Sequence, residues 1–141
     1  MKILYSAKAI SSSGGREGKV RIDNSPLEFE MAKPVELGGS GKSGVNPEQL
    51  FAAGYAACFE SALLHVARHK NLSLTSTSVA AEVGIGPNGK GGFLLSATIT
   101  ATITGVDQVT ADTLVQEAHQ VCPYSNATRG NMEVTVSARV V

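Results

Sequence analysis

The sequence predicts an α+β protein folded as one domain, residues 1–141, with largely antiparallel sheet. Three observations carry that prediction. The first third alternates apolar and polar residues at the period of half-buried strands. Asn46–Pro47–Glu48–Gln49 is a helix-start signature that opens a long apolar segment. The second half returns to strand-like runs around one further helix.

Taken in order, Ile3–Ile10 reads as a strand, followed by the polar turn Ser11–Gly18 with Arg16 between glycines. Val20–Asp23 and Leu27–Met31 are the next strands, separated by the turn Asn24–Ser25–Pro26. The glycines and serines of Gly38–Gly44 predict a flexible loop. Asn46 then caps the long helix. Pro47 suits its first position, Glu48 complements the positive end, and Gln49 completes a capping box. The helix runs to about Lys70 or Asn71. Its apolar residues form no single stripe before Glu60, so it should be buried on all sides. One small sheet covers only one side, and a second copy of the chain is the simplest cover for the other. The spacing thus predicts a homodimer. Leu72–Ile85 and Phe93–Ile103 form a hairpin through Gly86–Gly92. Thr110 caps a shorter helix to about Cys122, with Leu114, Val115, Ala118 and Val121 or Cys122 facing inward. Pro123 stops it, and Glu133–Val140 is the last strand.

The composition narrows the function. Hydrophobic residues make up 43% and charged residues 17%, enough apolar mass for a core. Lys+Arg and Asp+Glu balance at 12 each, so no basic field predicts nucleic-acid or membrane-surface binding. The first eight residues lack the apolar run of a signal peptide. The low-charge run Leu50–Phe59 is too short to cross a bilayer. The expectation is a cytoplasmic protein whose two cysteines, Cys58 and Cys122, are normally reduced.

Two motifs fail on inspection. Gly41–Lys42–Ser43 resembles the end of a phosphate-binding loop, but Glu36 stands where the motif requires glycine. His65 and His69 share a helix face as zinc ligands would, yet no Glu follows His65 and only His119 remains as a third ligand. No metal site is expected.

The two thiols are the chemical feature. Cys58 lies more than three turns beyond Asn46, so the helix dipole does not activate it, and apolar burial raises a thiol pKa. A thiolate there needs a cation, and Arg16 is the best candidate; the alternative is a solvated hairpin charge. Glu48 could orient Arg16 through a bidentate pair. Glu48 and Cys58 lie about 15 Å apart along one helix, more than one guanidinium spans. A site containing both needs a second subunit or a loop folded far over. Cys122 sits next to Pro123, where its side chain is either exposed or a small member of the inner stripe.

Together, Gly14–Gly18, Asn46–Phe59 and Val121–Asn131 resemble the organic hydroperoxide resistance branch of the OsmC/Ohr family, which also contains the osmotically inducible peroxidases. The likeness runs essentially end to end. Tyr124–Ser125–Asn126–Ala127–Thr128–Arg129–Gly130–Asn131 favours this branch over the osmotically inducible one. The resemblance implies an OsmC-like fold in which antiparallel sheets wrap a long central helix in an intertwined homodimer. It implies that Cys58 is the peroxidatic cysteine and Cys122 the resolving one, with Arg16 and Glu48 as the charged pair at the site. It implies a thiol-dependent peroxidase that acts on alkyl and fatty-acid hydroperoxides, with no metal, haem or flavin. The reductant implied is a dihydrolipoyl-type dithiol on a lipoylated protein. Phe51, Tyr55, Phe59 and Tyr124 are candidate walls for the substrate. The rival readings are a thiol redox sensor without turnover and a small-molecule binding protein with structural cysteines.

Overall fold

The computed structural model describes all residues, Met1–Val141, in two compact units, Met1–Leu50 and Phe51–Val141. The first unit is built on an antiparallel sheet of β1 (Ala9–Ser12), β2 (Lys19–Ile22) and β3 (Glu28–Glu30) in that order. Asn24 turns the chain with a φ of 55°, and the Ile22 N–H donates to the Leu27 carbonyl. Beyond β3, Met31 forms a bridge to Val45 and is buried.

The expected strand Ile3–Ile10 is corrected: only its last two residues join β1, and Met1–Lys8 form no strand. The pairing stops where the Asp23 N–H meets the Lys8 carbonyl, because β2 turns away at Asn24. Earlier residues have no strand to meet in the chain, and Ile3, Leu4 and Tyr5 are exposed.

Helix α1 (Pro47–His69) begins where the capping signature places it. The Gln49 N–H donates to Asn46 Oδ1 at 2.8 Å and the Asn46 N–H to Gln49 Oε1 at 2.9 Å, the reciprocal pair of a capping box. The helix has 23 residues, and an 18-residue stretch has mean hydropathy 1.4, so by length and composition it could cross a bilayer. The run Leu50–Phe59 understated it. Burial is also narrower than expected: Tyr55, Phe59, Ala62, Leu63, Val66 and Ala67 are covered, while Ala53, Ala57 and Ser61 are exposed.

The second unit carries β4 (Ser76–Pro87), β5 (Phe93–Thr104) and β6 (Glu133–Val140), with β5 central. β4 starts at Ser76, four residues later than the predicted Leu72. Cross-strand rows such as Ala81–Ile99–Val136 and Val79–Ala101–Ala138 share one face and join the core. The opposite face is a ladder of Ser and Thr, with Ser76 bonded to Thr104 and Thr135 to Thr98.

Two local expectations are corrected here. Helix α2 (Gln108–Val121) is capped by Asp107, whose Oδ1 accepts the Thr110 N–H at 2.8 Å. Thr110 lies inside the first turn because the carboxylate one turn earlier satisfies its amide. The sheet is not wholly antiparallel: β6 runs parallel to β5. The intervening helices carry the chain back along the sheet, so the next strand sets out in the same direction. Pro123 ends α2 and opens a second short helix, α3 (Pro123–Thr128), which the proline signal alone did not reveal.

Candidate active site

The sulfur pair is assembled by the corner between α2 and α3. Val121 is 46% exposed and Cys122 is 0% exposed, so Cys122 is the inward residue and belongs to the core. Cys122 is extended, with φ −62° and ψ 123°, and its N–H still bonds the Ala118 carbonyl. That geometry aims its side chain at α1, where Cys58 Sγ lies 3.7 Å from Cys122 Sγ. Both cysteines are free thiols. Burial pushes the Cys58 thiol above its ordinary pKa, and the adjacent Cys122 raises it further because two touching sulfurs do not both ionise. The backbone N–H of Tyr124 opposes this by favouring the thiolate.

The same corner docks on α1 through its next residues. The Tyr124 hydroxyl reaches Gly54, where a Cβ would lie only 2.7 Å from it. A glycine within a helix costs about 1 kcal/mol, and close approach of the tyrosine is what requires it here. The Tyr124 ring packs at 5.8 Å from Phe51 and 5.6 Å from Tyr55, between centroids. Ser125 is buried, with its Oγ 2.8 Å from His119 Nδ1 and 3.0 Å from the Tyr55 hydroxyl. Thr128 Oγ1 lies 3.2 Å from the same tyrosine. Burial and the charge of Arg129 hold His119 below the usual imidazole pKa, favouring its neutral form. Sequence reasoning missed Ser125 and Thr128 as site residues and considered His119 only as a metal ligand. The Cys-Pro-Tyr-Ser run was visible, but the partners of its serine lie on other helices.

In the first unit, Arg16 sits in a 3-10 turn, Gly15–Glu17, between β1 and β2. Gly14 and Gly15 have φ of 129° and 58°, and a Cβ on Gly18 would collide with the Ser12 carbonyl. Arg16 grips Glu48 with two bonds, Nη1 to Oε2 at 2.7 Å and Nη2 to Oε1 at 2.6 Å. The arginine holds the Glu48 carboxyl below its ordinary pKa, and Glu48 raises that of Arg16. This pair forms within one chain. The structure thus brings the four expected chemical residues together as two pairs, Arg16 with Glu48 and Cys58 with Cys122.

A cavity of about 470 Å³ opens beside the sulfur corner, lined mainly by Phe51, Leu94, Leu95, Tyr124 and Met132. Of the four expected walls, Phe51 and Tyr124 line it. Tyr55 and Phe59 do not; each is 0% exposed and belongs to the core. Their inward face of α1 is taken up by packing and leaves no surface for a ligand. His69 Nδ1 donates to the His65 carbonyl, with the two rings 4.1 Å apart. Lys42, from the failed phosphate-loop motif, pairs with Glu30.

The model of OsmC-like proteins matches residues 39–137. An organic hydroperoxide resistance protein of Xanthomonas axonopodis pv. citri is 48% identical over 137 residues, covering 96% of this chain and 95% of that protein. The crystal structure of an organic hydroperoxide resistance protein from Elizabethkingia anophelis, with thiocyanate bound, superposes with a TM-score of 0.94 at 49% identity, covering 100% of both chains. One from Vibrio cholerae, with captopril in one of its active sites, gives 0.90 at 51% identity, covering 98% of this chain and 94% of that one. With its two small sheets, long helix and matched length, the chain belongs to the OsmC-like family.

Proposed function

We propose that this protein is a cysteine-based peroxidase that reduces organic hydroperoxides to alcohols. The observation that carries the reading is the 3.7 Å approach of Cys122 Sγ to Cys58 Sγ, between two helices of one core. The Cys58 thiolate attacks the distal peroxide oxygen, the O–O bond breaks, and the alkoxide leaves and takes a proton. Cys58 becomes a sulfenic acid. Cys122 then attacks its sulfur, forming the disulfide and releasing water. An external dithiol reduces that disulfide by two exchanges and is itself oxidised.

Arg16 supplies the positive charge that Cys58 lacks in its buried surroundings, and Glu48 holds the guanidinium in a fixed orientation. The bidentate contact of Arg16 with Glu48 and the raised Cys58 pKa support these roles. The apolar cavity beside Tyr124 suits an alkyl or acyl chain, which hydrogen peroxide lacks. The names of the relatives point to the same substrate class. A dihydrolipoyl group on a protein is the reductant in this reading, and two thiols that must be re-reduced suit the cytoplasm. The functional unit is a homodimer. The exposed face Ala53–Ala57–Ser61 of α1 and the unpaired Ile3–Tyr5 segment support that assembly.

Intact mass after one equivalent of tert-butyl hydroperoxide tests the chemistry. Loss of two hydrogens, mapped to Cys58 and Cys122, is expected, with repeated turnover when dihydrolipoamide is supplied. A single oxidation without turnover would make the protein a sensor, and no mass change would make its cysteines structural.

A further inference from the structure

The buried hydroxyl of Ser125 ties together residues one helical turn behind each sulfur. Tyr55 lies three residues before Cys58 on α1, and His119 lies three residues before Cys122 on α2. In a helix, residues three apart share a face. Ser125 Oγ meets both, at 3.0 Å and 2.8 Å. It therefore clamps the two helical faces that carry the two thiols.

The proton order follows from the partners. Thr128 Oγ1 donates to the Ser125 carbonyl. The Tyr55 hydroxyl has one proton and gives it to Thr128 Oγ1, so the Ser125 hydroxyl donates to Tyr55 and the His119 Nδ1–H donates to Ser125 Oγ. No buried side-chain polar atom in the structure lacks a partner. Arg129 secures the far side by donating to the His119 carbonyl and to Asn126.

We propose that Ser125, held between His119 and Tyr55, is a positioning residue for disulfide formation and not for peroxide attack. The inference rests on the peroxidase reading above. A disulfide needs its sulfurs at about 2.05 Å, so the 3.7 Å gap must close. Cys122 is wholly buried, and the gap closes by movement of the corner that carries it, which Ser125 anchors. Peroxide attack on Cys58 needs no such movement.

Single-turnover mixing with tert-butyl hydroperoxide separates the two steps. In Ser125→Ala, loss of the Cys58 thiol should stay within about twofold of the parent. Disulfide formation, read as the two-hydrogen mass loss after acid quench, should slow about ten- to a hundredfold, the order expected for a misplacement near 1 Å. Dimedone-trapped Cys58 should accumulate. Tyr55→Phe, which keeps the ring, should show the same split. His119→Asn retains an N–H donor near the Nδ1 position and should resolve faster than His119→Leu. Parent-like disulfide formation in both Ser125→Ala and Tyr55→Phe would overturn the proposal, as would an equal fall in both steps. If the parent cycles normally while these variants show either result, only the clamp is lost. A parent without peroxide-dependent oxidation would remove the peroxidase reading and the clamp with it.

Discussion

The two sheets handle burial in opposite ways. No residue of β1, β2 or β3 is fully buried, whereas β5 buries Ala97, Ile99, Ala101 and Ile103. The reason is partnership: β5 is flanked by β4 and β6, and its inward face belongs to one core with residues of α1 and α2. The chemical pairs divide along the same line. Arg16 and Glu48 belong to the first unit, where Arg16 stays partly exposed. The two sulfurs belong to the second, with Cys122 wholly buried. An arginine remains charged wherever it sits, so partial exposure does not compromise it. A thiol that must meet one particular thiol needs a close-packed interior to hold the approach.

The strongest test of that contrast removes the sulfurs. Cys58→Ser should abolish peroxide-dependent oxidation, and Cys122→Ser should oxidise once and stop as a dimedone-reactive sulfenic acid, both read by mass. Undiminished peroxidase activity in Cys58→Ser would sever the sulfur pair from function. Next come the sheets. Ile99→Ala should cost about 2–5 kcal/mol in denaturant unfolding. Ile22→Ala in β2 should cost under about 1 kcal/mol at low protein concentration. A cost for Ile22→Ala that grows with concentration would place the first sheet in a subunit interface.

Arg16→Ala should move the ionisation of Cys58 to higher pH, measured as the pH profile of its alkylation. Its first oxidation at pH 7 should slow about tenfold for each unit moved. An unchanged profile would separate the charged pair from the sulfurs. The smallest effect belongs to Glu48→Gln. Arg16 depresses the Glu48 carboxyl below its ordinary value of 4.5, so the pair contributes fully above that pH and fades as pH falls through the depressed value. The variant should be less stable by under about 1 kcal/mol at neutral pH, and the gap should close in acid.

Much of the local structure was legible because its signals act over a few residues. Asn46 and Gln49 satisfy each other's amides within one turn, and Asn88 within Gly86–Gly92 closes its hairpin by bonding the Lys90 and Gly92 amides. The first strand and the cap of α2 were misread for the same local reason. Ile3–Tyr5 is apolar enough for a strand but meets no partner in the chain, and Thr110 is a good cap until Asp107 is seen to supply one. The sequence placed Val121 and Cys122 equally well on the inner stripe, and only packing chose between them. Ser125 carried no long-range signal, since the hydroxyl and imidazole it bonds come from two other helices.

By itself, the chain's residue order determined which side chains are candidates for the chemistry, where α1 begins and which segments alternate as strands. Capping, periodicity and motif spacing are short-range and can be read along the backbone. Tertiary structure alone decided that β6 runs parallel to β5, that Arg16 pairs with Glu48 in one chain, and that Cys122 points at Cys58. Those outcomes depend on which faces pack together across long stretches of sequence, a choice made by burial and steric fit of the whole core.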